Sequence, residues 1–424
     1  MTAWWCDLAW LEVPSQGVRI EESGGVITSV TRQRQPGDEV LPGLVLPGFA
    51  NAHSHAFHRA LRGRTHAGGG TFWTWRDQMY ELAAVLDPDS YLELARATYA
   101  EMVLAGYTVV GEFHYLHHGP GGQRYDEKNA MGRALIQAAA EAGIRLTLLD
   151  TCYLQGGLDG RPLEGPQLRF GDGDVDRWEG RIADLVDTAL VKQGVAAHSV
   201  RAVPVEALPV IGRHTVRHVH LSEQPAENAD CLAAHGRTPT ELLDEAGFLG
   251  AGACAVHATH LTGGDLVRLS RTSICMCPTT ERDLADGIGP AREHRGPVCL
   301  GSDQHAVIDP FEETRGLEMD DRLASLQRGR FTPEELIAAG TAHGYAALGW
   351  DGGAIRPGAV ADLVAVRLDS VRTAGTDPLQ VALTAGAPDV TDVVVGGRRV
   401  VRDGAHALGD IGRLLTAAMS PLFS

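Results

Sequence analysis

His53 and His55 stand one residue apart at the end of an apolar run, 45–52. On an extended strand, side chains at i and i+2 share a face, so two imidazoles placed this way can hold one ion between them. Such a pair alone is equally consistent with two exposed loop histidines. Three further segments carry the same chemistry: His220-Leu221-Ser222-Glu223, His257-Ala258-Thr259-His260 and Ser302-Asp303-Gln304-His305. Each sets a His or an Asp at the end of its own short β-rich run, at 216–221, 253–256 and 297–300. If those strand ends converge, His53, His55, His220 and Asp303 supply three neutral nitrogens and one carboxylate. That set suits one divalent ion, zinc foremost, with a position left for water. An ion held there brings water's pKa towards neutrality, so hydrolysis is the chemistry to expect.

Something must bring four dispersed segments together, and the pattern of elements supplies it. Residues 88–106 predict a helix: Pro88 suits the first turn, Leu92, Ala95, Tyr99 and Met102 recur at helical spacing, and Gly106 stops it. Strands are expected at 45–49, 108–113, 144–149, 195–197, 216–221, 253–256, 273–277 and 298–300. Helices near 130–142 and 333–348 fall among or after them. Eight strands alternating with helices predict a parallel (β/α)8 TIM-type barrel over 47–354, whose active site lies where the C-terminal strand ends meet. The two ends of the chain are different. Residues 17–21, 25–31, 43–46, 360–366 and 393–401 read as strands, the last broken by a Gly-Gly hairpin turn. Segments 1–46 and 355–424 are therefore expected to form one small β-sandwich domain from both termini.

Composition narrows the function further. The 54 acidic residues exceed the 37 basic ones, giving a net charge of −17 that argues against a nucleic-acid partner. No apolar stretch approaches the length of a membrane span, and no basic segment precedes an apolar core near Trp4, Trp5 and Trp10, so a cytoplasmic location is expected. The seven cysteines include no Cys-x-x-Cys pair and are expected to be reduced, buried thiols.

The segments 47–55, His220-x-x-Glu223, His257, Gly301-Ser302-Asp303 and 358–364 together resemble the amidohydrolase superfamily over nearly the whole chain. The resemblance places Glu223 in a single-metal deaminase branch. No lysine ends the fourth barrel strand, where two-metal relatives carry a modified one; that strand runs into His198-Ser199-Val200-Arg201. Within the branch, His53-Ser54-His55-Ala56-Phe57, Trp73-Thr74-Trp75-Arg76, the stretch 111–118, His198 to Arg201 and Cys277-Pro278-Thr279-Thr280-Glu281 are similar to the formimidoylglutamate deiminase family of histidine degradation. It implies one divalent ion, Zn²⁺ first, and a dicarboxylate substrate gripped by Arg76 and Arg201, with His58, Tyr115 and His198 as further contacts. His257 and Asp303 would take the proton of the attacking water, and Glu223 would protonate the imino nitrogen. A homodimer is expected. The resemblance departs at His58, where the family pattern carries Gln.

Each assignment has an alternative. Glu223 could be an N-cap or first-turn acid of the following helix, His257 could cap a strand, and Arg76 and Arg201 could be solvated or ion-paired. His117, His118, His260 and His305 read as supporting or loop residues. A ring deaminase of the same branch would share the metal site but want an aromatic pocket in place of two arginines. A non-catalytic relative would have lost the metal set.

Overall fold

The computed structural model describes residues 2–66 and 69–423. Eight strands form one sheet of parallel neighbours: β5 (Phe49–Ser54), β6 (Tyr107–His114), β7 (Arg145–Cys152), β8 (Val191–Ala197), β9 (Arg217–Leu221), β10 (Ala253–His257), β11 (Ser273–Met276) and β12 (Val298–Leu300), in that spatial order. Their predecessors in the chain, β1 (Thr2–Trp10), β2 (Pro14–Ser23), β3 (Val26–Thr31) and β4 (Glu39–Pro47), lie in a second, mixed sheet with β13 (Leu363–Val366), β14 (Val390–Val395), β15 (Arg398–Arg402) and β16 (Ala405–His406). The first sheet is a (β/α)8 barrel. It closes just beyond its last strand, where Ser54 bridges Asp303: Asp303 N–H donates to His53 O (3.0 Å) and His55 N–H to Asp303 O (3.1 Å). Three of the four proposed ligands, His53, His55 and Asp303, therefore lie on the closure seam, and His220 faces them from β9.

Local chemistry explains most of the elements. The helix Pro88–Ala105 starts at Asp87, whose carboxylate accepts from Ser90 N–H while the Ser90 hydroxyl caps Asp87 N–H. It buries Tyr91, Leu94, Thr98, Met102 and Ala105, and Gly106 ends it. The eight residues of β6 that follow are all buried, as a strand covered on both faces requires.

Two expectations need correction. The run 45–49 is not one barrel strand. Val45 and Leu46 belong to β4, which pairs with β1 and β13, and the barrel strand begins at Phe49. The break falls at Gly48, where an added Cβ would sit 2.0 Å from Thr108 Oγ1. The helix foreseen over 333–348 is two, Pro333–Gly340 and Ala342–Ala347, interrupted at Thr341 (φ −130°, ψ −95°). Gly340 and Gly344 there pack on Phe49 and Ala50 of the first barrel strand. The strand β1 and the helix Phe72–Val85 were not foreseen.

The terminal sheet curls round its own core of Trp4, Cys6, Val18, Ile20, Ile27, Leu363 and Val394. A bridge between Val26 and Val360 joins its far edge to the chain leading into β13. It is tied to the barrel at Asp362, which receives Arg145 Nε (2.7 Å), Tyr345 O–H (2.7 Å) and Gly396 N–H (2.6 Å). All seven cysteines are buried and free. Among the described residues no helix is long and apolar enough to cross a membrane.

Candidate metal-centred active site

The four ligand candidates reach the site from three strand ends. His53 lies in β5, His55 follows it in extended conformation (φ −124°, ψ 92°), His220 is the penultimate residue of β9, and Asp303 comes three residues after β12. His53 Nε2 lies 3.1 Å from His220 Nε2 and 3.3 Å from Asp303 Oδ1, which is 3.4 Å from His55 Nε2. Donors about 2.05 Å from a common ion at tetrahedral angles lie about 3.3 Å apart, so the spacing suits a zinc-type ion.

Hydrogen bonding sets the tautomers. His55 Nδ1 is 2.9 Å from Phe113 O and His220 Nδ1 is 2.9 Å from His198 O. Each Nδ1–H therefore donates to a backbone carbonyl, which turns the Nε2 lone pair into the site. Burial holds His53 and His220 well below the ordinary imidazole value and His55 down to about 3, so all three are neutral, as ligands must be.

The seam is locked from behind. Ser302 N–H donates to Asn51 Oδ1 (2.9 Å), His305 lies between Ser302 Oγ (2.9 Å) and Ser54 Oγ (3.2 Å), and Glu112 accepts from the Ser54 hydroxyl (2.8 Å) and Ala56 N–H (2.7 Å). At Gly301 an added Cβ would fall 2.9 Å from the backbone N and O of His53, so only glycine lets the strands meet. Ser222, His257, Ala258, Asp303 and His305 all have positive φ, between 44° and 66°. Five left-handed non-glycine residues at three strand ends mark strain concentrated where geometry matters.

His257, the last residue of β10, lies at the hub of the acids. Its Nε2 is 3.6 Å from Glu223 Oε1 and 3.8 Å from Asp303 Oδ2, while Nδ1 is 3.5 Å from Glu281 Oε1. Burial alone would depress its pKa, but Glu223, Glu281 and Asp303 outweigh it and push the imidazole up to about 10. Burial raises Glu223 to about 7, so it can carry a proton near neutrality. Glu223 precedes the helix Pro225–His235, whose N-cap is Gln224, so it is neither cap nor first-turn acid. Glu281, quoted in a motif but given no role from sequence, accepts from Cys277 N–H (2.8 Å) while facing His257.

The metal-type cluster opens into a cavity of about 500 Å³ lined by His55, His58, Arg76, Tyr115, His198 and Arg201, among others. His58 Nε2 is 2.9 Å from Tyr115 Oη, and its buried Nδ1 has no hydrogen-bond partner among the described residues. Arg201 Nε is 3.5 Å from Glu227 Oε2 and its Nη2 is 4.0 Å from Glu223 Oε2. Glu227, in the first turn of the helix Pro225–His235, lies four residues beyond Glu223 and has no role assigned from sequence. Arg76 lies over the rings of Trp73 (4.7 Å) and Tyr80 (5.5 Å). Phe72, Trp75, Tyr153 and Phe170 also line the cavity, an aromatic wall that was not anticipated. His117 and His118 face Asp150 (3.7 Å) and Asp172 (3.0 Å) away from it, and His260 is bonded to Asp286 O (2.8 Å).

The amidohydrolase family profile matches residues 44–400, which span both the barrel and part of the terminal sheet. The chain belongs to the amidohydrolase family. This amidohydrolase is 36% identical to a formimidoylglutamate deiminase of Pseudomonas aeruginosa, over 93% of each chain. It is 30% identical to an 8-oxoguanine deaminase of the same organism, over 96% of this chain and 95% of the relative. An amidohydrolase structure from Brucella melitensis superposes with a TM-score of 0.91 at 30% identity, each chain covered completely.

Proposed function

We propose that this amidohydrolase deiminates N-formimidoyl-L-glutamate to N-formyl-L-glutamate and ammonia. One observation carries the reading. A single cavity joins a zinc-type donor cluster to two arginines, Arg76 and Arg201, with Tyr115 and His198 as added donors. Cations at that position favour a substrate bearing carboxylates, because their ion pairs within the protein are long, 3.5 Å from Arg201 to Glu227 and 3.9 Å from Arg76 to Asp77, and leave guanidinium donors for a ligand. The relative that acts on formimidoylglutamate aligns over nearly the whole chain.

His53, His55, His220 and Asp303 would hold one divalent ion, Zn²⁺ by the softness and spacing of the donors. When bound, that ion supplies Lewis acidity that makes water a competent nucleophile at neutral pH. Asp303 takes a proton from the attacking water as the C–O bond forms at the formimidoyl carbon, while His257, held protonated by Glu223, Glu281 and Asp303, donates a hydrogen bond to the incoming oxygen. Glu223 donates its proton to the imino nitrogen. Asp303 then returns the water proton to that nitrogen, the C–N bond breaks as the hydroxyl proton passes back to Glu223, and ammonia leaves while the glutamate nitrogen keeps the new formyl group. Arg76 and Arg201 orient the two carboxylates, so that the amidine reaches Glu223 and His257 in a reactive pose.

The aromatic wall favours a second reading, a ring deaminase for purine-like or triazine-like substrates. Ammonia release from formimidoylglutamate, set against a panel of guanine, 8-oxoguanine, adenosine and triazine substrates, separates the two. Higher kcat/KM for any ring substrate overturns the first reading.

A further inference from the structure

Three arginines line the cavity: Arg76, Arg201 and Arg161. The charge of Arg201 already faces the buried Glu227 at 3.5 Å, with Glu223 at 4.0 Å beyond it. Arg76 has one loose partner, Asp77 at 3.9 Å, and leans on aromatic faces. Two substrate carboxylates arriving there would outnumber the cationic charge left to meet them. Arg161 makes up the difference.

Arg161 stands at the end of a tight turn that follows β7. Gly156 N–H donates to Arg161 O (2.8 Å) and Gly160 N–H to Gly157 O (3.0 Å), so residues 156–161 fold back on themselves. Gly156, Gly157, Leu158 and Asp159 of the same turn also line the cavity. The Arg161 side chain pairs with Asp159, two residues earlier, at 3.3 Å, and both side chains are exposed, 62% and 61%. An exposed pair of this kind contributes little to stability, because water screens it and ordering two side chains costs entropy. Exchanging Asp159 for a substrate carboxylate therefore costs little, whereas a bidentate guanidinium–carboxylate contact in a partly enclosed cavity is strong.

We propose that Arg161 reads one carboxylate of the substrate and that Asp159 holds its place until the substrate arrives. This rests on the dicarboxylate reading of the cavity and names a specificity residue within it. The two residues act in opposite directions. In zinc-loaded enzyme, Arg161→Met raises KM for formimidoylglutamate about tenfold with kcat unchanged, the scale of one lost charge-assisted contact. Asp159→Asn lowers KM about threefold, since the competing anion is gone. The double variant keeps none of that gain.

Calorimetric titration with N-formyl-L-glutamate, and with the N-formyl derivative of 2-aminobutyrate, which lacks the side-chain carboxylate, locates the contact. Arg161→Met weakens binding of whichever ligand carries the carboxylate that Arg161 reads. Unaltered affinity for both ligands in Arg161→Met, with wild type binding N-formyl-L-glutamate, overturns the role of Arg161 and leaves the function standing. Failure of the wild type to bind any dicarboxylate overturns both.

Discussion

At the floor of the barrel mouth the ligand candidates are all buried and two of the three imidazoles are held by backbone carbonyls, whereas the arginines of the cavity wall stand on aromatic faces, loose ion pairs and a glycine-rich turn. His55 and His220 have their ring orientation fixed by backbone carbonyls, and Asn51, Ser302, His305, Ser54 and Glu112 lock the strands that carry the ligands. Arg76 and Arg161 are, by contrast, 33% and 62% exposed. The difference separates two tasks. Activating water demands donors fixed to a fraction of an ångström, and a strained floor whose strands are cross-bonded behind the ligands provides that. Choosing a substrate needs charge of the right sign at the right distance, which a softer wall can supply and sequence change can retune.

The floor should therefore fail abruptly. His55→Ala or Asp303→Ala should abolish metal binding, about one ion per chain in the wild type, and bring ammonia release to background. Metal analysis with circular dichroism checks this, and a folded variant retaining stoichiometric metal refutes the ligand set. Glu223→Gln is the next largest effect. It keeps the shape but removes the proton carrier, so kcat should fall about 10²-fold or more while metal content is unchanged. Near-normal kcat would leave Glu223 a spectator beside His257.

The same division governs what could be read from sequence. The floor was legible because each ligand is a His or Asp at the end of an apolar run, and a barrel brings such ends together whatever lies between. Even the error at 45–49 left His53 and His55 in place, since the barrel strand that begins at Phe49 runs on to Ser54 and still ends at the two histidines. The support behind the floor was less legible: Glu112 and Asn51 look like ordinary strand residues, and it takes the β5–β6 register to set Glu112 beside Ser54 and the closure to set Asn51 beside Ser302. Glu281 was in view but without a role, because its meaning depends on the left-handed turn at His257. The wall was least legible. Arg76 and Arg201 came through resemblance alone, and Arg161 sits in a turn with no periodic pattern to mark it.

Glu112 offers a test of the floor through pH. Burial raises its carboxyl from 4.5 to about 7, despite the hydrogen bonds from Ser54 and Ala56 that work the other way. An acid with a raised folded-state pKa keeps its proton in the fold after the unfolded chain has lost it. The wild type is therefore destabilised progressively as pH climbs from about 4.5 to about 7, by up to about 3 kcal/mol, and then levels off. Glu112→Gln removes that dependence, whatever constant cost the substitution adds. Denaturant midpoints of the two zinc-saturated proteins should thus converge, or cross, between pH 5 and pH 8. A gap that does not change with pH would mean that Glu112 is ionised in the folded protein throughout that range.

The wall should fail by degrees, and Arg76→Met is its plainest probe. Methionine retains much of the apolar stem that packs on Trp73 and Tyr80, so the loss is chiefly of charge. Removing one side of a charge-assisted contact in a partly exposed site should cost about 2 kcal/mol in kcat/KM, the lower end for charged pairs, because solvent reaches this guanidinium. The loss should appear mainly in KM, since Arg76 touches none of the groups that move protons, and it should shrink at high salt along with the wild-type advantage. An analogue lacking the matching carboxylate should show almost no difference between wild type and variant. If the variant instead loses kcat as severely as Glu223→Gln, then Arg76 belongs with the floor, and the contrast between a rigid reaction centre and a tunable wall does not hold at that position.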